Sequence, residues 1–342
     1  MDKTLTPVGV DVAKLTLDVR VFLPEPATGP FKRFANQEQG LAQLQEWLLR
    51  QGYQQVHACL EATSTYSDLV AHFLYEHGHQ VSLANPARVA AFRTSEGIRT
   101  KTDRHDALLL ARFCAQKRPT LWRPTPPAVQ QLQVLLAHLD DLLAMRQQER
   151  NRLENLRLDA LTRQSLLAHI DWLQTESDHT LQRAAGLLAQ TSELAVPCAH
   201  LDSIPGIAQL TAMRLYSVFF DLQRFSHAPK LVAHAGLCAA DENSGTSVHR
   251  RASISKVGNA QIRKWLYMSA LSVMRYDPDF VRWVGELKAR GKSNKVIIVA
   301  IMRKLLHLVH GVLKSGQDYD PCKAFPSHYA SAPHPQEDLS AA

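Results

Sequence analysis

The stretch RPTLWRPTPP, from Arg118 to Pro127, constrains the fold more than any other part of the chain. It contains four prolines within ten residues. Proline fixes φ and lacks a backbone N–H, so neither a helix nor a central strand continues through such a segment. Strand and helix patterns alternate before it, and only helical patterns follow it. The sequence therefore predicts an α/β part joined to an all-α part.

The first part, residues 1–125, alternates apolar runs of the strand type with amphipathic helical runs. The predicted strands are TPVGVDVA, LTLDVRVFL, GPFKRFAN, QVHACLEAT and QVSLANP. The predicted helices are QEQGLAQLQEWLLRQGY, SDLVAHFLYEHGH, ARVAAFRTSEG and DRHDALLLARFCAQK. The order βββαβαβα predicts a mixed sheet flanked by helices, which matches the ribonuclease H architecture.

Residues 126–195 carry apolar side chains, mostly leucines, at three- and four-residue steps. These positions are Leu132, Leu135, Leu139, Leu142 and Met145, then Leu166, Ile170, Leu173, Leu181 and Leu188. This spacing predicts two long helices in an antiparallel coiled-coil arm that contacts a second subunit. A helical bundle packed on its own domain is an open alternative.

Residues 196–316 are predicted to form a mostly helical domain, with helices over 261–276 and 294–314. An IPGI turn inside helical flanks resembles a helix-hairpin-helix, in which backbone amides at the turn grip phosphate. The remaining residues, 317–342, are rich in Pro, Ser and Ala and are predicted to be a flexible tail.

Positive charge is concentrated in this helical domain. Between residues 201 and 316 there are 17 Lys and Arg against 7 Asp and Glu, a net charge of +10, whereas the whole chain carries +7. Such a region favours nucleic acid as the partner, although a solvated surface rich in lysine gives the same count. The sequence shows no signal peptide and no long uncharged apolar stretch, so we expect a cytoplasmic protein without a membrane partner.

The five cysteines are scattered and form no CxxC pair. This pattern argues against a disulfide framework and against a zinc site. We therefore expect buried, reduced thiols.

Four acids stand at positions where strands end or helices begin. Asp11 lies in the first predicted strand, Glu61 ends the fourth, and Asp103 and Asp106 share one face of a helix through their i, i+3 spacing. Each acid alone has an ordinary structural interpretation, such as a helix cap or a strand-end hydrogen bond.

Taken together, the four carboxylates are predicted to converge at one sheet edge. Grouped carboxylates repel one another unless cations lie between them, and hard oxygen ligands suit Mg²⁺ or Mn²⁺. Two such ions, about 4 Å apart, clamp the attacking and leaving oxygens of a phosphodiester. The sequence therefore predicts a divalent metal site.

A serine lies in a basic stretch, ENSGTSVHRRASISKVGNAQIRKWLY. Ser244 precedes a flexible glycine, and the cations that follow are Arg250, Arg251, Lys256, Arg263 and Lys264. Such a serine is suited to attack a backbone phosphate while cations stabilise the developing charge. A loop that binds phosphate passively is the alternative, and Ser247 is the nearest rival nucleophile.

The set GVDVAK, EATSTY and RTKTDRHDALLLARF, followed by SIPGI, LVAHAGL, SG and ISKVGNAQIRKWLYMSA, resembles the DEDD transposases of the insertion-sequence one-ten family. The resemblance runs from about residue 7 to about residue 316. It implies a RuvC-like domain in which Asp11, Glu61, Asp103 and Asp106 hold the metal. It also implies a transposase domain in which Ser244 is the nucleophile.

The resemblance further implies an RNA-guided DNA recombinase that exchanges strands through a phosphoserine. Its partners would be donor and target DNA, a structured noncoding guide RNA (the bridge RNA) and further copies of the chain in a dimer or tetramer. In such an oligomer the serine of one subunit meets the acids of another. Two other hypotheses remain open, a RuvC-like junction nuclease that uses water and a nonenzymatic nucleic-acid-binding protein.

Overall fold

The computed structural model describes residues 5–24, 29–62, 66–98, 103–240, 243–244, 248–249 and 253–329. The chain divides into two compact units, Met1–Thr125 and Pro126–Ala342. The division falls inside the proline-rich segment, where the alternating pattern gives way to the helical one.

The first unit is a mixed β-sheet with helices on both faces. Its strands are β1 (Thr6–Val12), β2 (Thr16–Val21), β3 (Phe31–Ala35), β4 (Val56–Glu61) and β5 (Gln80–Ala84). Its helices are α1 (Glu38–Arg50), α2 (Tyr66–Glu76), α3 (Pro86–Ser95) and α4 (Asp103–Lys117). The strands lie in the order β3-β2-β1-β4-β5, with β1 antiparallel to β2 and parallel to β4. The predicted ribonuclease H-like sheet is confirmed.

The two faces of this sheet carry separate apolar clusters, because successive side chains of a strand point to opposite faces. Val8 and Val10 belong to the cluster that includes the buried leucines of α1. Cys59 belongs to the other cluster, which includes Phe92 of α3 and Leu110 of α4.

Gly9 allows α4 to lie directly on β1. A Cβ atom added to Gly9 would lie 2.5 Å from the backbone nitrogen of Ala111 and closer still to the carbonyl oxygen of Ala107. Backbone atoms cannot rotate away as a side chain can, so any larger residue here has to push α4 off the sheet.

We therefore expect Gly9→Ala to lower the free energy of unfolding by about 1–3 kcal/mol, as overpacking does in a close-packed interior. Chemical denaturation followed by circular dichroism measures the change. Gly186→Ala is the matched control, because Gly186 lies within a helix and an added Cβ meets no atom within 4 Å. That change should be neutral or stabilising by up to about 1 kcal/mol. Equal stability of the Gly9→Ala variant and the native chain would contradict the close approach of α4.

The second unit is helical. Its helices are α5 (Pro127–Leu153), α6 (Ala160–Gln190), α7 (Ser192–Asp202), α8 (Gln209–Phe219), α9 (Ala228–His234), α10 (Ala260–Tyr276), α11 (Pro278–Ala289), α12 (Asn294–Ser315), α13 (Pro321–Ala324) and α14 (Pro326–Tyr329). Four two-residue strands are β6 (Ala239–Ala240), β7 (Asn243–Ser244), β8 (Val248–His249) and β9 (Ser253–Ile254). β6 pairs with β9, and β7 pairs with β8.

The long helices α5 and α6 form the predicted antiparallel pair. Glu149 of α5 contacts His169 of α6 at 3.2 Å, and Arg146 contacts Gln174, so residue numbers rise along one helix as they fall along the other. The start of α5 and the end of α6 join the core of the second unit, through residues such as Leu132 and Leu188. Residues 126–195 and 196–316 therefore share one core.

The buried stripe of α6 differs from the predicted one. It consists of Ile170, Leu173, Ser177, Thr180, Ala184 and Leu188. Leu166 and Leu181 are half-buried, and Met145 of α5 is exposed. Ser177 and Thr180 are therefore buried on this face of α6, although the spacing of the leucines did not predict them there.

The helix α12 is long and apolar enough, by length and composition, to cross a membrane. Such a helix is weak support for a membrane span, because a buried core helix passes the same test. One face of α12, including Ile297, Ile301 and Leu305, is buried in the core of the second unit.

The prediction of a flexible tail from residue 317 is wrong for residues 317–329. This segment forms α13 and α14, and Ala324 and Phe325 are buried in the core of the second unit. Phe325 packs edge-to-face against Phe280 with ring centroids 5.0 Å apart. This contact holds the segment against the second unit. Residues 330–342 lie outside the described part of the chain.

The cysteines are free thiols, as predicted. Cys59, Cys114 and Cys198 are buried and Cys238 is half-buried, but Cys322 is exposed. Burial, with the nearby charge of Asp202, raises the pKa of Cys198 to about 12. That thiol therefore stays protonated at neutral pH.

Candidate active site

Two of the predicted acids stand side by side on adjacent strands. In the parallel pair of β1 and β4, Val10 is paired with Leu60, so Asp11 and Glu61 follow at the same level. Both residues are half-buried, and both lie at the carboxyl ends of their strands. Side chains alternate along a strand, so Asp11 shares the face of Gly9, which is the face covered by α4.

The helix α4 runs antiparallel to β1 and β4. Its last turns lie beside the start of β4, where the Cys114 thiol donates to the carbonyl oxygen of His57 at 3.4 Å. Its middle lies over Gly9. Its first turn, which begins at Asp103, therefore points toward the strand ends that carry Asp11 and Glu61.

Asp106 is engaged by an arginine that the sequence motifs did not identify. The Arg93 guanidinium of α3 donates to one carboxylate oxygen of Asp106 at 2.6 Å. The two side chains are 25% and 15% exposed, so this ion pair is largely shielded from water. No local spacing links the two residues, because α3 and α4 meet only through tertiary packing.

A further acid of the same sheet, Asp18 of β2, was also missed by the sequence motifs. It pairs with Asp11 across β1 and β2 and is buried. Arg33 binds both of its carboxylate oxygens at 2.9–3.2 Å. The available signal was an acid within the otherwise apolar alternation of LTLDVRVFL.

Mg²⁺ or Mn²⁺ suits the donor chemistry of this edge, because Asp11, Glu61 and the start of α4 bring hard carboxylate oxygens to one side of the sheet. Among the described side chains, no group of three or more His, Cys, Asp or Glu is arranged to hold a metal ion. The side chain of Asp103 lies outside the described part of the chain, and a carboxylate oxygen of Asp106 is bound by Arg93. The acids therefore share an edge, while the described ones do not form a closed ligand set.

The predicted nucleophile lies in the second unit. Ser244 belongs to β7, where its backbone pairs with Val248 of β8. Its side chain, residues 245–247 with the rival Ser247, and the predicted phosphate contacts Arg250 and Arg251 lie outside the described part of the chain.

Arg263, predicted to contact nucleic acid, contacts the protein backbone, and its contact with nucleic acid stays a prediction. Its Nη1 donates to the carbonyl oxygen of Ala235 at 2.9 Å and approaches those of Lys256 at 3.4 Å and Gly258 at 3.5 Å. These contacts tie the residues before β6 to those after β9, so Arg263 supports the base of the segment that carries Ser244. Lys256 and Lys264 are exposed.

The IPGI turn lies between α7 and α8, as predicted. Gly206 has φ of +77°, and a Cβ atom there would lie 2.5 Å from Val273 Cγ1 and 2.9 Å from the Ser269 carbonyl oxygen of α10. The glycine is therefore required both for the turn and for its packing on α10. Its contact with phosphate stays a prediction.

Two family models match the chain. A DEDD transposase model of the IS110 type covers residues 8–161, which includes all four acids. A model described as transposase of the IS116/IS110/IS902 family covers residues 198–283, which includes Ser244.

Individual relatives agree with these models. The chain is 35% identical to the pilin gene-inverting proteins of Moraxella lacunata and Moraxella bovis over 321 residues, 92% of this chain and 98% of each relative. It is 28% identical over 126 residues to the transposase for insertion sequence element IS1111A of Coxiella burnetii, 36% of this chain and 34% of that protein.

A ribonuclease H-like unit with acids at its sheet edge, joined to a helical transposase unit, defines an enzyme that rearranges DNA. More narrowly, the chain belongs to the IS110 family of transposases.

Proposed function

We propose that this transposase is an RNA-guided recombinase that cuts and rejoins DNA strands through a phosphoserine at Ser244. The observation that carries the proposal is the shared sheet edge. Asp11 and Glu61 end adjacent parallel strands, and α4 begins on the same side with Asp103 and Asp106. A protein that only bound nucleic acid would gain nothing from carboxylates grouped near phosphate.

The covalent step needs a serine oxygen and a leaving oxygen. The hydroxyl oxygen of Ser244 attacks the phosphorus of a DNA phosphodiester and loses its proton. An Oγ–P bond forms as one P–O bond to the DNA breaks, and the leaving oxygen takes a proton. Attack by the hydroxyl of another strand reverses these changes and rejoins the DNA.

Asp11, Glu61, Asp103 and Asp106 would hold Mg²⁺ or Mn²⁺, which when bound stabilises negative charge on the reacting oxygens. Arg93 orients the Asp106 carboxylate through a charge-assisted hydrogen bond. The site would be completed in a dimer or tetramer, in which acids from one subunit meet the serine of another.

The names of the Moraxella relatives favour a recombinase over a junction nuclease that uses water. Those names describe inversion of a gene, and inversion requires that cut strands be rejoined. A phosphoserine preserves the bond energy needed for rejoining, whereas hydrolysis loses it. Donor DNA, target DNA and a structured noncoding guide RNA would be the partners, in the cytoplasm.

The test is a denaturing gel of the purified protein with its copurified RNA and labelled DNA from the region that flanks its gene. We expect a labelled strand that migrates with the protein and is released by protease. Free cut ends without an adduct would identify the junction nuclease. Binding without any cut would identify a nonenzymatic binder.

Guidance is tested separately by sequencing the RNA that copurifies with the protein. We expect a structured transcript from DNA that flanks the gene, with segments that match both the donor and the target. Unchanged target choice after ribonuclease treatment would remove guidance from the proposal while leaving the phosphoserine chemistry intact.

A further inference from the structure

A groove of about 890 Å³ opens on the second unit between α11, α12 and the β6–β9 pair. Its apolar lining includes Leu237, Ile254, Trp283, Val296 and Val299. Its basic lining consists of Lys292, Lys295, Arg303, Lys304 and His307. Among the described residues that line the groove, none is acidic. The groove therefore combines an apolar surface with positive charge.

The helix α12 supplies most of this charge from one face. Lys295, Val299, Arg303 and His307 follow one another at four-residue steps, so they form a stripe along the helix. Lys295 and Arg303 are separated by about 12 Å along the axis at the usual rise per residue. The opposite face of α12 is buried in the core, which fixes the stripe in its orientation.

Two of the basic groups, Lys304 and His307, differ from the others in their surroundings. Lys304 donates to the carbonyl oxygen of Ala324 and lies 4.6 Å from the centroid of the Phe325 ring, and burial lowers the pKa of its amine. Burial and the charges of Arg303, Lys304 and His310 lower the pKa of His307, so that its imidazole is neutral at pH 7. Lys292, Lys295 and Arg303 form no ion pair with any described residue and are available to an anionic partner.

We propose that this groove binds a single strand of DNA next to the phosphodiester that Ser244 attacks. Lysine and arginine suit the phosphates, and an apolar floor with the half-buried Trp283 ring suits unstacked bases. A duplex keeps its bases stacked inside and would leave that floor uncovered. The choice of DNA rests on the proposed function.

The position of the groove supports this choice. Ala239 of β6 and Ile254 of β9 line it, and the segment between those strands carries Ser244. The wall of the groove is therefore continuous with the segment that carries the nucleophile. A strand bound in the groove would therefore contact both ends of the segment that carries Ser244.

The proposal is tested by fluorescence anisotropy with labelled oligothymidylate, the same length of oligouridylate, and a DNA duplex. The test variant is Lys295→Ala with Arg303→Ala. We expect binding of oligothymidylate to weaken about tenfold at 0.15 M salt, and the slope of log affinity against log salt to fall by about 1.4 for two lost phosphate contacts.

The matched control is Arg275→Ala with Lys314→Ala. It removes the same charge from exposed positions that do not line the groove, and Lys314 lies on α12 itself. We expect its oligothymidylate affinity to stay within about twofold of the native value, because only direct phosphate contacts release counterions. Equal losses in the control and test variants would overturn the proposal, since general charge would then explain both.

A second variant tests the apolar floor without removing a cation. Val296→Glu places a carboxylate in the groove at a side chain that is already 50% exposed, so the fold should tolerate it. Val281→Glu, at 45% exposure on α11 and outside the groove lining, is its control. We expect only Val296→Glu to weaken oligothymidylate binding. An unchanged affinity in both groove variants, or a loss confined to oligouridylate, would overturn the assignment to DNA.

These measurements are repeated in the Ser244→Ala background, in which no covalent bond can form at that residue. A loss of oligothymidylate binding there supports the groove whatever the cleavage chemistry. If the native protein yields no adduct but the groove variants still lose binding, the phosphoserine proposal fails and the groove stands. If the native protein forms the adduct but the groove variants bind oligothymidylate normally, the groove proposal fails and the phosphoserine stands.

Discussion

Replacement of Ser244 by alanine should abolish the covalent protein–DNA adduct while leaving the fold and RNA binding intact. The alanine side chain has no oxygen to bond phosphorus, and loss of an enzyme's nucleophile can cost on the order of 10⁶-fold in rate. The adduct should therefore fall below detection on a denaturing gel. Thermal unfolding should be unchanged, because β7 is only two residues long and alanine fits its extended backbone.

Neighbouring serines provide the controls for this experiment. Ser247→Ala removes the nearest rival hydroxyl. Ser255→Ala removes one beyond β9, where the backbone N–H of Ser255 is held by the Cys238 carbonyl oxygen at 2.9 Å. Both variants should form the adduct at the native yield. An adduct at normal yield in Ser244→Ala, or its loss in Ser247→Ala alone, would move the nucleophile to another residue.

The fold was predictable where a regular period extended over several residues. The apolar runs of β1 and β2 and the helical patterns of α4 and α12 each identified the type of element. The two-residue strands β6 to β9 are too short to carry a period, so the sequence pattern did not predict them. The helices α13 and α14 are held in place by Phe325, which packs against Phe280. This contact joins residues 45 positions apart.

The sequence predicted that the acids lie at one edge of the sheet, but it did not predict which residues contact them. Asp11 and Glu61 lie at the ends of strands whose direction followed from the element order, so their proximity could be inferred from the sequence. The partners of the acids could not be inferred, because Arg93 reaches Asp106 and Arg33 reaches Asp18 through tertiary packing. The backbone contacts of Arg263 could not be inferred either, since a charge count does not show which carbonyl groups a guanidinium binds.

Conversion of Asp11 to asparagine should stop strand cleavage, because the carbonyl oxygen of an amide is a neutral and weaker ligand for Mg²⁺ than a carboxylate. Loss of groups that only orient metal ligands costs 10–100-fold in activity, so loss of a ligand itself should cost at least about 100-fold. Titration calorimetry with Mn²⁺ should show weaker binding in parallel. Asp68→Asn is the matched control, since Asp68 is an exposed acid of the same unit at the start of α2.

The metal is tested by Asp11→Asn and also by Asp106→Asn. The latter also breaks the shielded pair with Arg93 and leaves a largely buried cation without its partner, which lowers stability by itself. A loss of cleavage in Asp106→Asn therefore combines two causes, and thermal unfolding is needed to separate them. Asp11→Asn with native unfolding, weakened Mn²⁺ binding and no cleavage would establish the carboxylate as a ligand. Undiminished cleavage by the native protein in EDTA would exclude a metal requirement, and the acids of the sheet edge would then need another explanation.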